Sequence, residues 1–256
     1  MIKRNLPLMI TIGVFVLGYL YCLTQFPGFA STRVICNILT DNAFLGIIAV
    51  GMTFVILSGG IDLSVGSVIA FTGVFLAKVI GDFGLSPLLA FPLVLAVVVI
   101  GIFLAHRTRF GNQVYAIGGN ATSANLMGIS TRSTTIRIYM LSTGLATLAG
   151  IVFSIYTQAG YALAGVGVEL DAIASVVIGG TLLSGGVGTV LGTLFGVAIQ
   201  GLIQTYINFD GTLSSWWTKI AIGILLFIFI ALQRGLTVLW ENRQSSPVTR
   251  VNIAQR

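Results

Sequence analysis

The chain has 256 residues, of which 56% are hydrophobic and only 8% are charged, with a net charge of +6 and a mean hydropathy of +1.01. A soluble domain needs roughly 25% charged residues to wet its surface, so this composition excludes a soluble globule and predicts several membrane spans of about 20 residues each. The positive balance would suit nucleic acid or anionic lipid, but its distribution, traced below, favours a lipid-facing, orienting role and no nucleic-acid partner.

Met1-Ile2-Lys3-Arg4 precedes an apolar run from Leu6 to Leu23. That run is long for a signal peptide and no small-residue cleavage site closes it, so it is read as an uncleaved first span. Further apolar segments follow over Ile35–Leu57, Val65–Ile80, Leu88–Ala105, Ile136–Tyr156, Ala172–Leu183, Val190–Ile207 and Trp216–Leu239. The expected fold is therefore all-α and polytopic, one transmembrane domain over residues 1–256 with about eight apolar segments. The sixth, Ala172–Leu183, is too short to cross as a regular helix and is expected to be broken or re-entrant.

With the N-terminus inside, ten basic residues face the cytoplasm: Lys3, Arg4, Arg107, Arg109, Arg132, Arg137, Arg234, Arg243, Arg250 and Arg256. Only Arg33, Lys78 and Lys219 fall outside, where Asp82, Glu169, Asp171 and Asp210 also lie. This bias predicts that both termini are cytoplasmic, as are the polar loop over 106–135 and a basic, disordered tail over 233–256. Trp216, Trp217 and Trp240 are expected at the two membrane interfaces. Within the loop a short surface helix is predicted over Ala121–Met127, capped by Asn120 and ended by Gly128. The loop is either a connector or a docking element.

Two glycine-rich phrases are related. Ser58-Gly59-Gly60-Ile61-Asp62-Leu63-Ser64-Val65-Gly66-Ser67 and Gly179-Gly180-Thr181-Leu182-Leu183-Ser184-Gly185-Gly186-Val187-Gly188-Thr189 share Gly-Gly-x-x-Leu-Ser followed by Val-Gly-Ser/Thr, with two extra glycines in the second. Paired glycines permit helix breaks, and polar backbone freed at membrane depth must line a cavity or be covered by protein. The similarity suggests two weakly related halves around one path. Ser58, Gly59, Gly60, Asp62, Ser64, Gly179, Gly180, Thr181 and Ser184 are thus candidates for a substrate pathway. Asp62 either caps the next helix or faces the substrate. Gly188, Gly192 and Gly196 form overlapping Gly-x-x-x-Gly steps, expected to make a smooth packing face on one helix.

His106 stands without a second ligand or base in the sequence, and Cys22 and Cys36 match no metal or redox spacing. No phosphate loop, paired-His metal motif or nucleophile elbow is present. Accordingly no catalytic residue, metal or cofactor is assigned to this chain, and it is not read as an enzyme.

The stretches Gly51–Ser67, Phe110–Ile129 and Glu169–Thr193 together resemble the permeases of bacterial ribose-type sugar ABC importers, most of all those of galactofuranose importers. The resemblance implies a multi-pass subunit of the bacterial inner membrane, paired with a second copy or a paralogue. Its implied partners are a cytoplasmic ABC ATPase subunit that uses ATP, a periplasmic sugar-binding protein, membrane lipid and the sugar. It also implies that the ATPase docks on the Gly-Gly-Asn loop, with Tyr115, Gly118, Gly119, Asn120, Ala121, Ala124 and Met127 as candidates. The family is longer than this chain between the fourth segment and that loop. An even number of spans is therefore expected to be missing near residues 97–102, at a cost to transport. An ion-coupled carrier and a passive channel are the alternatives; Asp62 is the one acid available to the first, and glycine-rich half-helices also suit the second.

Overall fold

The computed structural model describes residues 6–80, 90–157, 159–161, 163, 165–214 and 216–244. Those residues form helices and connecting turns, α1 (Leu6–Gln25) through α11 (Trp216–Gln244). Among them, α1, α8 (Thr131–Thr157), α10 (Val190–Asp210) and the start of α11 are each long and apolar enough to cross a membrane. One bent pair is long and apolar enough only when its two helices are taken together, as a broken span or a re-entrant loop.

That pair is the first departure from the single segment expected over Ile35–Leu57. It is two helices, α2 (Thr32–Asp41) and α3 (Ala43–Leu57), bent by 51°. The cause is Asn42, whose Nδ2 donates to the Ile38 carbonyl at 2.9 Å while its own backbone leaves helical geometry. An amide side chain in an apolar run competes with the backbone for such bonds and bends the helix.

α3 is the axis of the bundle. It is apolar on every side, and each of its residues except Phe44 is buried, as expected of a helix surrounded by others. It packs against α8, α9 (Val168–Ile178), α5 (Ala90–Arg107) and α10. Contacts of Gly51 with Ser142 and of Phe44 with Phe153 set α8 antiparallel to α3. Pairings of Asp62 with Ser142 and of Gly73 with Ser154 set α4 (Val65–Ile80) parallel to α8.

The expected sixth segment is α9, an 11-residue helix starting at Val168 and ending at Ile178. At 1.5 Å per residue it is about 16 Å long, and it accompanies only the N-terminal half of α10. The register is antiparallel: Gly179 meets Gly192, Ser175 meets Gly196, and Gln200 Nε2 donates to the Asp171 carbonyl at 3.0 Å. The short segment is therefore a half-length arm of a tight hairpin.

Two smaller expectations change. Gly188 does not share a helix face with Gly192 and Gly196, because α10 starts only at Val190, where the Thr189 hydroxyl accepts from the Gly192 amide at 3.0 Å. At the other end of the chain, α11 runs to Gln244, so the first turns of the expected tail are helical. Residues 245–256, Lys3, Arg4, Asp82 and the Trp240 side chain lie outside what is described.

Candidate translocation path and docking loop

The first break begins where α3 ends. Ser58 donates its hydroxyl to the Val55 carbonyl at 2.7 Å, and the Gly60 amide returns to the same carbonyl at 3.0 Å, so the chain turns back along α3. Gly59 takes φ of 81°, open to glycine at little cost. Residues 60–64 then run without regular secondary structure to α4.

Asp62 holds this stretch. It is 4% exposed. Its Oδ1 accepts from the Ser64 amide at 3.0 Å and the Ser64 hydroxyl at 2.6 Å, and its Oδ2 accepts from the Ser142 hydroxyl of α8 at 2.7 Å. Tyr139, one turn earlier on α8, donates to the Ile61 carbonyl at 3.3 Å. Of the two roles open from sequence, the geometry matches neither alone. Asp62 takes one amide at the start of α4, as a cap does, and spends its second oxygen on a different helix. All its bonds come from neutral donors of this chain.

The second break is held differently. Gly179 and Gly180 leave α9, and Leu182 and Val187 close a turn through a 2.9 Å backbone bond. Gly185 and Gly186 both have positive φ. Thr11 of α1 donates to the Ile178 carbonyl at 2.7 Å, and Gln233 of α11 reaches the carbonyls of Val177 and Thr181 at 3.3 and 3.4 Å. Thr181 is fully buried, and its hydroxyl has no hydrogen-bond partner; its methyl and hydroxyl fill the space a Gly188 side chain would need.

Both breaks turn at the same end of the bundle and touch. The Gly186 amide donates to the Leu57 carbonyl at 2.9 Å, and Gly185 lies against Gly59. Each unit is a helix entering this end, a glycine turn and a helix leaving it, so the repeat is parallel rather than inverted. Deeper in, the hydroxyls of Thr53 and Thr193 share a buried 2.7 Å bond that ties α3 to α10.

The polar loop packs on this junction. α6 (Arg109–Gly119) is started by Thr108, which accepts from the Gly111 amide at 3.2 Å. α7 (Ala121–Leu126) has its expected cap, the Asn120 side chain accepting from the Ser123 amide at 2.8 Å, and Gly128 follows with φ of 87°. The candidate docking residues divide into two sets. Gly119, Asn120, Ala121 and Met127 are exposed, whereas Ala124 is buried. Tyr115 donates to the Gly188 carbonyl at 2.7 Å, and Gly118 abuts Leu57 and Gly186. Beside them opens a cavity of about 730 Å³, walled by Pro7, Leu8, Ile102, His106, Asn112 and Gly180 among others. Gly179, Gly180 and Gly188 line it, while Asp62 and Ser64 do not.

Among the described residues no three His, Cys, Asp or Glu side chains converge as a metal site would require. Sequence reading missed Tyr139, Ser142, Thr53 and Gln233, the residues that hold the breaks. The available signal was their polarity inside apolar runs, where a hydroxyl or amide must find an internal partner.

Residues 89–230 match the family described as the permease component of branched-chain amino acid transport systems. An inner membrane ABC transporter permease protein of Escherichia coli K12 is 77% identical over all of both chains. A fructose import permease of Bifidobacterium longum is 30% identical, over 91% of this chain and 92% of its own. A ribose import permease of Bacillus subtilis is 32% identical, over 87% and 91%. No solved structure matches. The Escherichia coli alignment spans 331 positions, whereas this chain has 256 residues. At least 75 positions (331 less 256) therefore face gaps in this chain. Since 77% of 331 positions is nearly all of 256 residues, identity is lost almost entirely at those gaps.

Proposed function

Because this chain belongs to that permease family and is a transmembrane subunit of an ABC importer, we propose that it forms one side of a sugar path and docks a cytoplasmic ATPase through α6 and α7. The observation that carries this reading is the position of α7. It presents Leu126 at 85% and Met127 at 71% exposure, on a loop whose inner face abuts both glycine breaks. An exposed apolar pair rimmed by polar residues fits a protein partner.

In this reading the junction end is cytoplasmic, in keeping with the basic bias of the sequence, and a periplasmic sugar-binding protein meets the opposite end. The apolar outer faces of α1 and α11 meet lipid or a second permease. Galactofuranose is the proposed sugar, supported by the resemblance of the three long phrases, with ribose and fructose as comparators suggested by the relatives' names. The missing positions, placed near 97–102, strip neighbours from a bundle whose association depends on matched surfaces. The chain inserts in this reading but supports little uptake.

The test expresses this chain and a full-length relative in cells lacking the native permease, with insertion checked for both. Co-purification of an ATPase with this chain, and uptake of labelled galactofuranose well below that of the relative, is the expected result. Equal uptake would show the missing segment to be dispensable; absence of any ATPase would remove the docking assignment. Cysteines at Asn112 and Asn208, both exposed, report orientation: an impermeant thiol reagent added to intact cells should label only the second.

A further inference from the structure

The docking loop and the two glycine breaks lie far apart in the chain and share a single contact. Gly118 sits where a Cβ would overlap the Leu57 carbonyl oxygen, the same oxygen that accepts the Gly186 amide. Leu57 ends α3 at the first break, and Gly186 lies in the second. One turn earlier on the same helix, Tyr115 donates to the Gly188 carbonyl. Gly119, the neighbour with the same side chain, has nothing within 4 Å of its Cβ position. The Gly118 contacts involve backbone rather than the ends of flexible side chains, so they transmit displacement with little slack.

We infer that Gly118 is a positioning residue that clamps α6 to both breaks at once, so that movement imposed on α7 reaches the two halves of the path together. The Tyr115 hydroxyl bonds to the second break. This rests on the proposed docking of an ATPase at α7, and the experiment separates the two.

Cys22 and Cys36 are replaced by alanine, and a single reporter thiol is placed at Ser58→Cys for the first break or Thr181→Cys for the second. Thr181 tolerates a thiol because its hydroxyl makes no hydrogen bond. Labelling by a maleimide is timed on the full chain in detergent. Gly118→Ala should raise the rate at both reporters several-fold. Tyr115→Phe should raise it at Thr181→Cys only. Gly144→Ala, at an exposed site with open space around it, should change neither. A rise at one reporter only with Gly118→Ala, or at both with Tyr115→Phe, overturns the clamp. Should Gly118→Ala fail to insert, the selectivity of Tyr115→Phe decides alone.

The second readout is specific to coupling. With a co-purified ATPase, Mg·ATP should shift both labelling rates together in the otherwise unaltered chain and neither in Gly118→Ala. ATP-dependent shifts that survive in Gly118→Ala overturn the inference. Failure of any ATPase to co-purify overturns the docking reading, while the labelling pattern without ATP still decides the clamp.

Discussion

The two glycine breaks carry nearly the same phrase and are held by different sets of contacts. The first is held by side chains: a buried carboxylate takes bonds from Ser64 and Ser142, and a tyrosine from α8 fastens the preceding residue. The second adds close approach of backbone to backbone, with Gly179 against Gly192 and Ser175 against Gly196, and its side-chain bonds come from Thr11, Tyr115 and Gln233 on other helices and end on backbone carbonyls. Two extra glycines in the second phrase account for part of this. They add a turn with positive φ before α10, so the shared Val-Gly-Thr lies outside the helix, whereas Val65 opens α4 directly. A repeated phrase thus conserves the place of a break without conserving its chemistry. The difference predicts opposite sensitivities, to steric change in the second unit and to loss of polar groups in the first.

The largest effect is expected at Gly196. A Cβ there overlaps the Ser175 carbonyl, and neither side of the contact is a flexible chain end. Overpacking a core costs about 1–3 kcal/mol, and Gly196→Ala should lie at or above the top of that range. Thermal unfolding in detergent, followed by tryptophan fluorescence, should show a large fall in midpoint. A change as small as that of Gly223→Ala, where space is open, would show that α9 and α10 separate freely and would erase the contrast between the units.

Asp62 comes next. Asp62→Ala strands the buried Ser142 hydroxyl, and a buried donor left unsatisfied costs about 1–3 kcal/mol. The loss should be partly recovered by adding Ser142→Ala, because that removes one stranded donor. No recovery in the double variant would mean that the Asp62–Ser142 bond does not hold the first break.

A third change touches neither unit's interior and gauges the docking element. Asn120→Ala removes the cap of α7, worth about 0.5 kcal/mol at the low end for an exposed site. Amide exchange over Ala121–Leu126 should quicken while the global unfolding midpoint stays put. A global shift would show that α7 belongs to the core.

Much of this was legible in advance, and the boundary is physical. Helix existence follows from long apolar runs, which is why α1, α4, α8 and α10 begin or end within a few residues of expectation. The cap and stop of α7 were legible because Asn120 and Gly128 act locally. The break at Asn42 was not, because Asn37, Thr40, Asp41 and Asn42 all stand near the start of that run and hydropathy does not mark which of them redirects the helix through its own amide. The meeting of the phrases, and the choice of Gly118 over Gly119 as the constrained glycine, depend on which carbonyl lies opposite. Sequence holds no such information for residues 60 to 130 positions apart. The same reason hid Ser142 and Tyr139, whose partners Asp62 and Ile61 lie far back along the chain in the first break.

The bond joining the two units offers the finest test. Thr53 and Thr193 share one 2.7 Å hydrogen bond, fully buried, on the helices flanking the two breaks. Hydrogen bonds between helices in membrane proteins average about 0.6 kcal/mol, with a maximum near 1.7. Here the hydroxyls also have local alternatives: Thr53 reaches the Ala49 carbonyl at 2.6 Å, and Thr193 reaches that of Thr189 at 3.4 Å. Thr53→Val should therefore cost no more than about 0.6 kcal/mol. Replacing both partners by groups of the same shape removes the bond without stranding either hydroxyl, so Thr53→Val with Thr193→Val should cost no more than either change alone. Unfolding of the four forms gives the coupling energy directly. A double variant whose loss equals the sum of the singles would show that the hydroxyls act separately and that their bond does not couple the two units.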